Sequence, residues 1–473
     1  MIQVRNPRTG DIDFTFEDTS PDQIAALTKR MREAQIPWQS LGYDGRANAL
    51  MALADAIARH APSITEALMT DTGRKKLAIG EVQGAVGALK GWCERRPDKD
   101  LPDEWVEGRA FPNLRHKPQF SPYPLVGVIS PWNFPLTLSM IDAMPALLAG
   151  CAVIIKPSEI TPRFATPLRA AISEIPELTD ILCIVDGAVE TGKAIVNHVD
   201  AICFTGSIAT GRKVALAAAE RLIPAFLELG GKDPLIVTEG ADIERATDAA
   251  LRGSVAASGQ ACQSIERIYV ARPIYSDFTT LLARKADAAP LNHLSLDAGV
   301  IGPIIFGTQA GTIERHMTDA LAKGARQLTS KTRQDQGGVW IRPTVLADVD
   351  HSMKIMTEET FGPLMPVHAF DTIDEAVALA NDTVFGLSGA VFAANLEEAE
   401  AIGRRLDVGA VSLNDAALTA LFFEAEKHAF KQSGLGGSRM GPAGFHRFLR
   451  RKALIANTTT PIPLSAFAED SET

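Results

Sequence analysis

The sequence predicts an α/β protein built on parallel sheets, and three observations carry that expectation. Short apolar runs suited to strands recur at 125–129, 152–155, 181–185, 201–204 and 235–237. Most are followed by helix-compatible stretches, such as 162–174 and 208–221. Alternation of this kind puts helices on both faces of a parallel sheet. A second series begins near residue 242, and at 473 residues the chain exceeds the size of a single hydrophobic core, so two or three domains are expected.

The elements justify themselves in order. Residues 20–97 read as helical, opened by Ser20-Pro21-Asp22: a hydroxyl cap, proline at the first helical position, then an acid. Leu50, Leu53 and Ile57 recur at helical spacing, with Arg46 and Arg59 among the polar positions. The first strand–helix series then runs from residue 125. In the second series, a helix over 242–256 leads to a strand over 267–271, with later strands at 366–370, 390–394 and 409–413. Residues 457–473 are rich in Thr, Pro, Ser and acids and read as a poorly packed tail.

Composition narrows the function classes. With 46% hydrophobic and 22% charged residues, this is the balance of an ordinary soluble globular protein. A formal charge of −10 argues against nucleic acid as a standing partner, which needs a basic face. No uncharged apolar run approaches the roughly 18 residues of a membrane span, and Met1-Ile2-Gln3-Val4-Arg5-Asn6-Pro7-Arg8 lacks a signal-peptide core. Cys93, Cys151, Cys183, Cys203 and Cys262 are scattered, and fit neither a disulfide framework nor a zinc spacing. A reducing cytoplasm, with no metal and no membrane, is the expectation.

Several segments carry chemistry. In Ser258-Gly259-Gln260-Ala261-Cys262, small residues let the backbone turn tightly and leave the sulfur accessible. Cys151 and Cys203, in apolar strand-like runs, read instead as core. In Leu227-Glu228-Leu229-Gly230-Gly231-Lys232, an acid between leucines suits a general base, or a strand-end acid that binds a backbone amide. Gly127-Val128-Ile129-Ser130-Pro131-Trp132-Asn133-Phe134-Pro135 follows a strand and is stiffened by two prolines. Asn133 can serve there as an oxyanion donor or as a helix cap. Lys156-Pro157-Ser158-Glu159 and Phe204-Thr205-Gly206-Ser207 end two strands and form a candidate cradle, the first for ribose hydroxyls and the second for a pyrophosphate. Neither is the G-x-G-x-x-G fingerprint. Glu358-Glu359-Thr360-Phe361-Gly362-Pro363 sets an acid pair beside an aromatic and a turn.

Taken together and in this order, from Asn6-Pro7 to about Lys452, these segments resemble the NAD(P)-dependent aldehyde dehydrogenase superfamily. The resemblance implies a Rossmann-like cofactor domain (1–107 and 125–231) and an α/β catalytic domain (232–445). It also implies a small β oligomerisation element, a hairpin at 108–124 with a C-terminal strand at 446–460, and then a tail over 461–473. It assigns Cys262 as nucleophile, Glu228 as general base and Asn133 as side-chain oxyanion donor, paired with the Cys262 backbone N–H. The implied cofactor wall comprises Ile129, Ser130, Pro131, Trp132, Lys156, Ser158, Glu159, Phe204, Gly206, Ser207, Leu229, Gly230, Glu359 and Phe361. The implied substrate walls are Phe134, Thr137, Leu138, Ile141, Ala261 and Gln263, closed by Leu421, Phe422 and Phe423.

The function so implied is oxidation of an aldehyde, of medium size and apolar or aromatic, to its acid through a thiohemiacetal and thioester on Cys262. Glu159 would accept from a ribose 2′-OH and repel a 2′-phosphate, so NAD is expected over NADP. A homodimer or homotetramer is expected. Two alternatives remain at this stage. One is a coenzyme A-acylating relative, against which Glu228 argues; the other is a non-catalytic NAD-binding protein. One region departs from the family pattern. Where a Gly-Gly-x-Lys-x-Ser-Gly segment is usual, the chain has His428-Ala429-Phe430-Lys431-Gln432-Ser433-Gly434. The following Gly436-Gly437-Ser438-Arg439-Met440-Gly441 lacks the usual acid.

Overall fold

The computed structural model describes residues 1–330 and 333–469. The helical stretch resolves into Pro21–Ser40, Gly42–Arg59, Ala61–Thr72 and Lys75–Arg95. Ser20 opens the first with a reciprocal cap: its hydroxyl accepts from the Gln23 N–H, and the Gln23 side chain accepts from the Ser20 N–H. Leu50, Leu53 and Ile57 form a fully buried stripe. Arg46, expected among polar positions, is buried as well. Its guanidinium donates to the carbonyls of Leu148 and Gln39, which lie in the last turns of two helices and lack partners within them.

The first sheet runs Gly434–Leu435, Ala225–Glu228, Ala201–Thr205, Leu125–Ile129, Ala152–Lys156, Leu182–Ile184 in spatial order. All pair in parallel except Gly434–Leu435, which is antiparallel to Ala225–Glu228. Strands Ala152–Lys156 and Ala201–Thr205 are buried throughout, as strands covered on both faces must be. Cys151 and Cys203 are core, as their apolar surroundings predict. Chain order reverses between Leu125–Ile129 and Ala201–Thr205, and in open sheets of this kind the crevice outside that reversal is where ligands bind.

The second sheet runs Arg326–Gln327, Thr344–Ala347, Leu364–Phe370, Ile265–Ala271, Asp233–Val237, Gly389–Phe392, Val411–Leu413. The apolar run at 235–237, counted with the first series in the sequence, belongs here, parallel to Ile265–Ala271 and Gly389–Phe392. Gly230 and Gly231 carry the chain from one sheet to the other. Gly231 is obligatory at that crossing, because a Cβ there would lie 2.3 Å from the Cys262 carbonyl oxygen.

A third, antiparallel sheet joins Val106–Glu107, Leu114–Pro122 and Leu449–Asn457. Its long pair is continuous from Leu449 opposite Pro122 to Asn457 opposite Leu114. Leu449–Asn457 is an edge strand, exposed along most of its length, and residues 457–469 beyond it are exposed. Among the described residues no helix is long and apolar enough to cross a membrane.

Candidate active site

The strand ends at the reversal open into a cavity of about 760 Å³. Every residue of the implied cofactor wall lines it: Ile129 to Trp132, Lys156, Ser158, Glu159, Phe204, Gly206, Ser207, Leu229, Gly230, Glu359 and Phe361. Cys262 and Asn133 line it too. The segments from Ile129 to Gly230 converge because parallel strands deliver their C-terminal ends to the same edge, and the 358–363 loop meets them there.

Lys156 closes the second strand, and its buried ammonium donates to the carbonyls of Gly187 (2.7 Å) and Pro157 (3.0 Å) and to Glu159 (3.4 Å). Burial lowers the Lys156 pKa, and Glu159 opposes that shift. Gly206 follows the strand Ala201–Thr205, and a Cβ there would meet the Phe204 ring at 2.6 Å. Ser207 then caps helix Ile208–Glu220, its side chain accepting from the Thr210 N–H, so a helix N-terminus faces the cavity. A helix start and a glycine turn beside an ammonium make a cradle suited to a pyrophosphate.

The opposite wall is the 358–363 loop. Phe361 sits at φ +52°, in the left-handed region, and its ring meets Trp132 edge-on at 5.4 Å. A buried ion pair fixes this loop: the Glu266 carboxylate accepts from Lys232 Nζ (2.6 Å) and from the backbone N–H groups of Thr360 and Phe361 (both 2.7 Å). Burial without those partners would cost several kcal/mol, on the order of 3–5 for a broken pair. The Glu359 carboxylate accepts from the Gly231 N–H at 3.0 Å. Burial, and then the charge of Glu266, raise its pKa.

Cys262 follows three successive residues at positive φ: Ala257 (53°), Ser258 (60°) and Gly259 (69°). Two of these are not glycine, which stores strain that the surroundings must hold. Gln260 does much of the holding. It is fully buried, donating to the carbonyls of Pro303 and Ala257 and accepting from the Ile305 N–H. A Cβ on Gly259 would sit 2.4 Å from the Gly362 carbonyl carbon. Gly259→Ala is therefore expected to lower stability by roughly 1–3 kcal/mol and to weaken cofactor binding by displacing the loop that carries Phe361. Thermal melting and a dinucleotide titration check both.

Asn133 is buried, and its Nδ2 donates to the Gln260 carbonyl at 3.0 Å. It makes no helix cap; the capping position of Pro135–Ala149 is Phe134, without a side-chain bond. An amide NH₂ has two donors, so one remains for a ligand. Arg74 Nη1 donates to the Asn133 carbonyl at 3.2 Å, bracing the loop from behind.

Glu228 ends its strand, paired with Gly434, and does not line the main cavity. Its carboxylate faces the ammonium of Lys427 at 3.9 Å. Burial pushes the Cys262 thiol up to about 12. Among charges, Lys427 acts most strongly and lowers it, while Glu228, Glu359 and Asp233 raise it.

The implied substrate walls divide. Leu138 lines the cavity, whereas Phe134, Thr137, Ile141, Ala261 and Gln263 do not. The Thr137 N–H donates to Glu81 at 2.9 Å, the Arg74 guanidinium lies 5.9 Å from the Phe134 ring centre, and Gln263 accepts from the Thr419 hydroxyl. Leu421, Phe422 and Phe423 are exposed. Sequence reasoning missed the stripe Val189, Gly192, Lys193, Val196 and Asn197, together with Lys213, Phe306 and Gln309, all of which line the cavity. The signal was present in part: the stripe's i, i+3, i+4 spacing marks one face of helix Val189–His198.

Comparison with known proteins places this arrangement. The aldehyde dehydrogenase family model matches residues 1–454. The chain belongs to the aldehyde dehydrogenase family. It is 33% identical over 451 residues, covering 94% of this chain and 87% of the relative, to a Mycolicibacterium smegmatis protein named for succinate-semialdehyde oxidation with NADP(+). Among solved structures it is similar to PutA from Anabaena variabilis, with a TM-score of 0.94 and 50% identity over 98% of this chain and 99% of that one. It is also similar to betaine aldehyde dehydrogenase from Staphylococcus aureus, solved with NAD+. That match has a TM-score of 0.91 and 30% identity over 99% of this chain and 93% of the other. The aldehyde dehydrogenase fold thus accounts for both sheets and the antiparallel arm, and the chain is an oxidoreductase of a family that uses NAD or NADP.

Proposed function

We propose that this family member oxidises an aldehyde to the carboxylic acid with NAD, through a thioester on Cys262. One observation carries the reading: Cys262, Asn133 and the whole implied cofactor wall line a single cavity. Attack of the Cys262 sulfur on the aldehyde carbon forms a C–S bond and puts charge on oxygen. The second N–H of the Asn133 amide and the Cys262 backbone N–H are the donors that meet it. A nicotinamide cofactor held by Lys156, Glu159, Gly206, Ser207, Glu359 and Phe361 supplies the hydride acceptor. Glu228 takes a proton from the water that hydrolyses the thioester, the acid departs, and the Cys262 thiol is restored. The domain division given above is kept in this reading, with the strand Gly434–Leu435 donated to the cofactor sheet.

Glu159 supports NAD as the preferred cofactor, since a carboxylate at the ribose repels a 2′-phosphate. Glu159→Gln is expected to shrink the kcat/KM preference for NAD over NADP by about tenfold, measured by initial rates with each cofactor. Leu138 on the cavity wall, with half-buried Phe134 and Ile141 on the same segment and exposed Leu421, Phe422 and Phe423, supports an apolar or aromatic aldehyde of medium size. A kcat/KM panel over aliphatic, aromatic and charged aldehydes tests this; highest efficiency on a charged or phosphorylated aldehyde overturns it. Addition of coenzyme A is expected to leave product and rate unchanged. Acyl-coenzyme A as product would move the chain to the acylating branch. The exposed edge strand Leu449–Asn457 supports assembly into a homodimer or homotetramer, and five free thiols suit a reducing cytoplasm.

A further inference from the structure

The Lys427 ammonium is an unusual group for this site. The side chain is buried, with 4% of its surface exposed, and its ammonium forms an ion pair with Glu228. An ammonium carries three donors and is costly to desolvate. Its ion-pair partner, Glu228, lies at 3.9 Å, beyond hydrogen-bond reach.

The backbone is pinned all the same. The Lys427 N–H donates to Ser438 Oγ at 3.1 Å, and Ser438 Oγ also accepts from the Met440 N–H at 3.1 Å. Ser438 thus fastens Lys427 to the atypical stretch 436–441, where an acid would be usual. In that stretch stands Arg439, whose charge is taken up by Asp142 (2.9 Å) and which also donates to the Thr205 hydroxyl (2.7 Å). Arg439 keeps Asp142 as its ion-pair partner, although its buried Nε finds none, and the charges of Glu228 and Cys262 act on it as well; Lys427 is the cation that lies against Glu228 itself.

The groups around Cys262 show what such a cation does. Burial raises the thiol pKa most, and Glu228, Glu359 and Asp233 add to it while Lys427 opposes them; burial likewise raises Asp233, to about 7, against the Ser388 bonds and then the charge of Lys427. The Asp233 carboxylate is already bonded to the Ser388 N–H and hydroxyl. A Cys262 thiolate beside ionised Glu228 would be two anions in a buried site without a partner, which low polarity forbids.

We propose that Lys427 is a positioning cation of this site: it lies against the Glu228 carboxylate and lets Cys262 ionise beside that pair. This rests on the catalytic reading of Cys262 and Glu228, and adds a residue that reading does not contain. The thiol proton is released to solvent, the ammonium keeps its own proton, and the net charge of the trio falls from zero to −1 rather than from −1 to −2.

The test is the pH dependence of iodoacetamide alkylation of Cys262, followed by mass spectrometry on the whole chain with NAD present. It needs no turnover, so it reads the thiol even if no aldehyde tried is a substrate. Lys427→Met keeps length and apolar bulk and is expected to raise the apparent Cys262 pKa by about one unit or more, slowing alkylation near neutral pH about tenfold. Lys427→Arg is expected to restore most of the wild-type profile. Melting temperature and NAD affinity report whether each variant folds. A Lys427→Met protein that melts as wild type with an unchanged alkylation profile overturns the proposal and leaves the catalytic reading standing. So does an unchanged profile with a loss confined to KM for carboxylate-bearing aldehydes, which would make Lys427 a substrate anchor. A wild-type Cys262 that resists alkylation at every pH up to the unfolding limit overturns both.

Discussion

Replacing Cys262 with alanine is expected to abolish NADH production while NAD still binds. The loss should reach about 10⁴-fold or more, the scale seen when a covalent nucleophile is removed from a site whose other members survive. Binding should persist because the cofactor wall is built from other residues. Lys156 is held by the carbonyls of Gly187 and Pro157, and the 360–361 backbone by Glu266, neither through the sulfur. Stability should change little, since Gln260 and not Cys262 anchors the strained loop. Absorbance assays with a broad aldehyde panel, beside a calorimetric NAD titration, check both halves. Turnover retained in the variant would remove Cys262 from the chemistry, and lost NAD binding would mean that the thiol supports the cofactor wall.

Glu228→Gln is expected to separate the two half-reactions. Glutamine keeps the size of the side chain and loses the charge, so the strand pairing of Glu228 with Gly434 should survive. Rapid mixing should then show a burst of NADH close to one per site, followed by steady turnover slowed by about 10²- to 10⁴-fold. That pattern places Glu228 in thioester hydrolysis. A burst slowed as much as turnover assigns it an earlier step, such as taking the Cys262 proton. The variant also removes the ion-pair partner of Lys427. In Glu228→Gln the Cys262 alkylation profile should therefore shift to lower pH, opposite in sign to the shift in Lys427→Met.

Much of this site was legible before any fold was known, because its parts sit at strand ends. Ile129 to Asn133, Lys156 to Glu159, Phe204 to Ser207 and Glu228 to Gly230 each follow an apolar run, and a parallel sheet brings such ends to one edge. The helix boundaries were close for a similar reason: 208–221 was expected and Ile208–Glu220 observed. Arg46 was misplaced because a helical period places a side chain on a face but does not say what lies opposite. The run at 235–237 was grouped with the first series of strands, although the family resemblance put it in the catalytic domain, because an apolar strand does not announce its neighbours.

Lys427 marks the limit of sequence reading most sharply. In the chain it stands among Glu424, Glu426 and His428, and looks like one more charge on a surface loop. Only the bond from its backbone to Ser438, and the pairing of Gly434 with Glu228, carry it under the Glu228 carboxylate. The helix stripe from Val189 to Asn197 likewise became a cavity wall only once its strand neighbours were set.

By itself the sequence determined the alternation of strands and helices and the order of the candidate segments, while the roles expected of Cys262, Glu228 and Asn133 came from the family resemblance that those segments carry together. The alternation follows from local periodicity, which a single chain carries within short windows. The tertiary structure decided which charges face one another: Lys427 on Glu228, Lys232 on Glu266, Arg439 on Asp142. Electrostatic interactions act through space and grow as water is excluded, so their outcome is set only when distant segments fold onto one site.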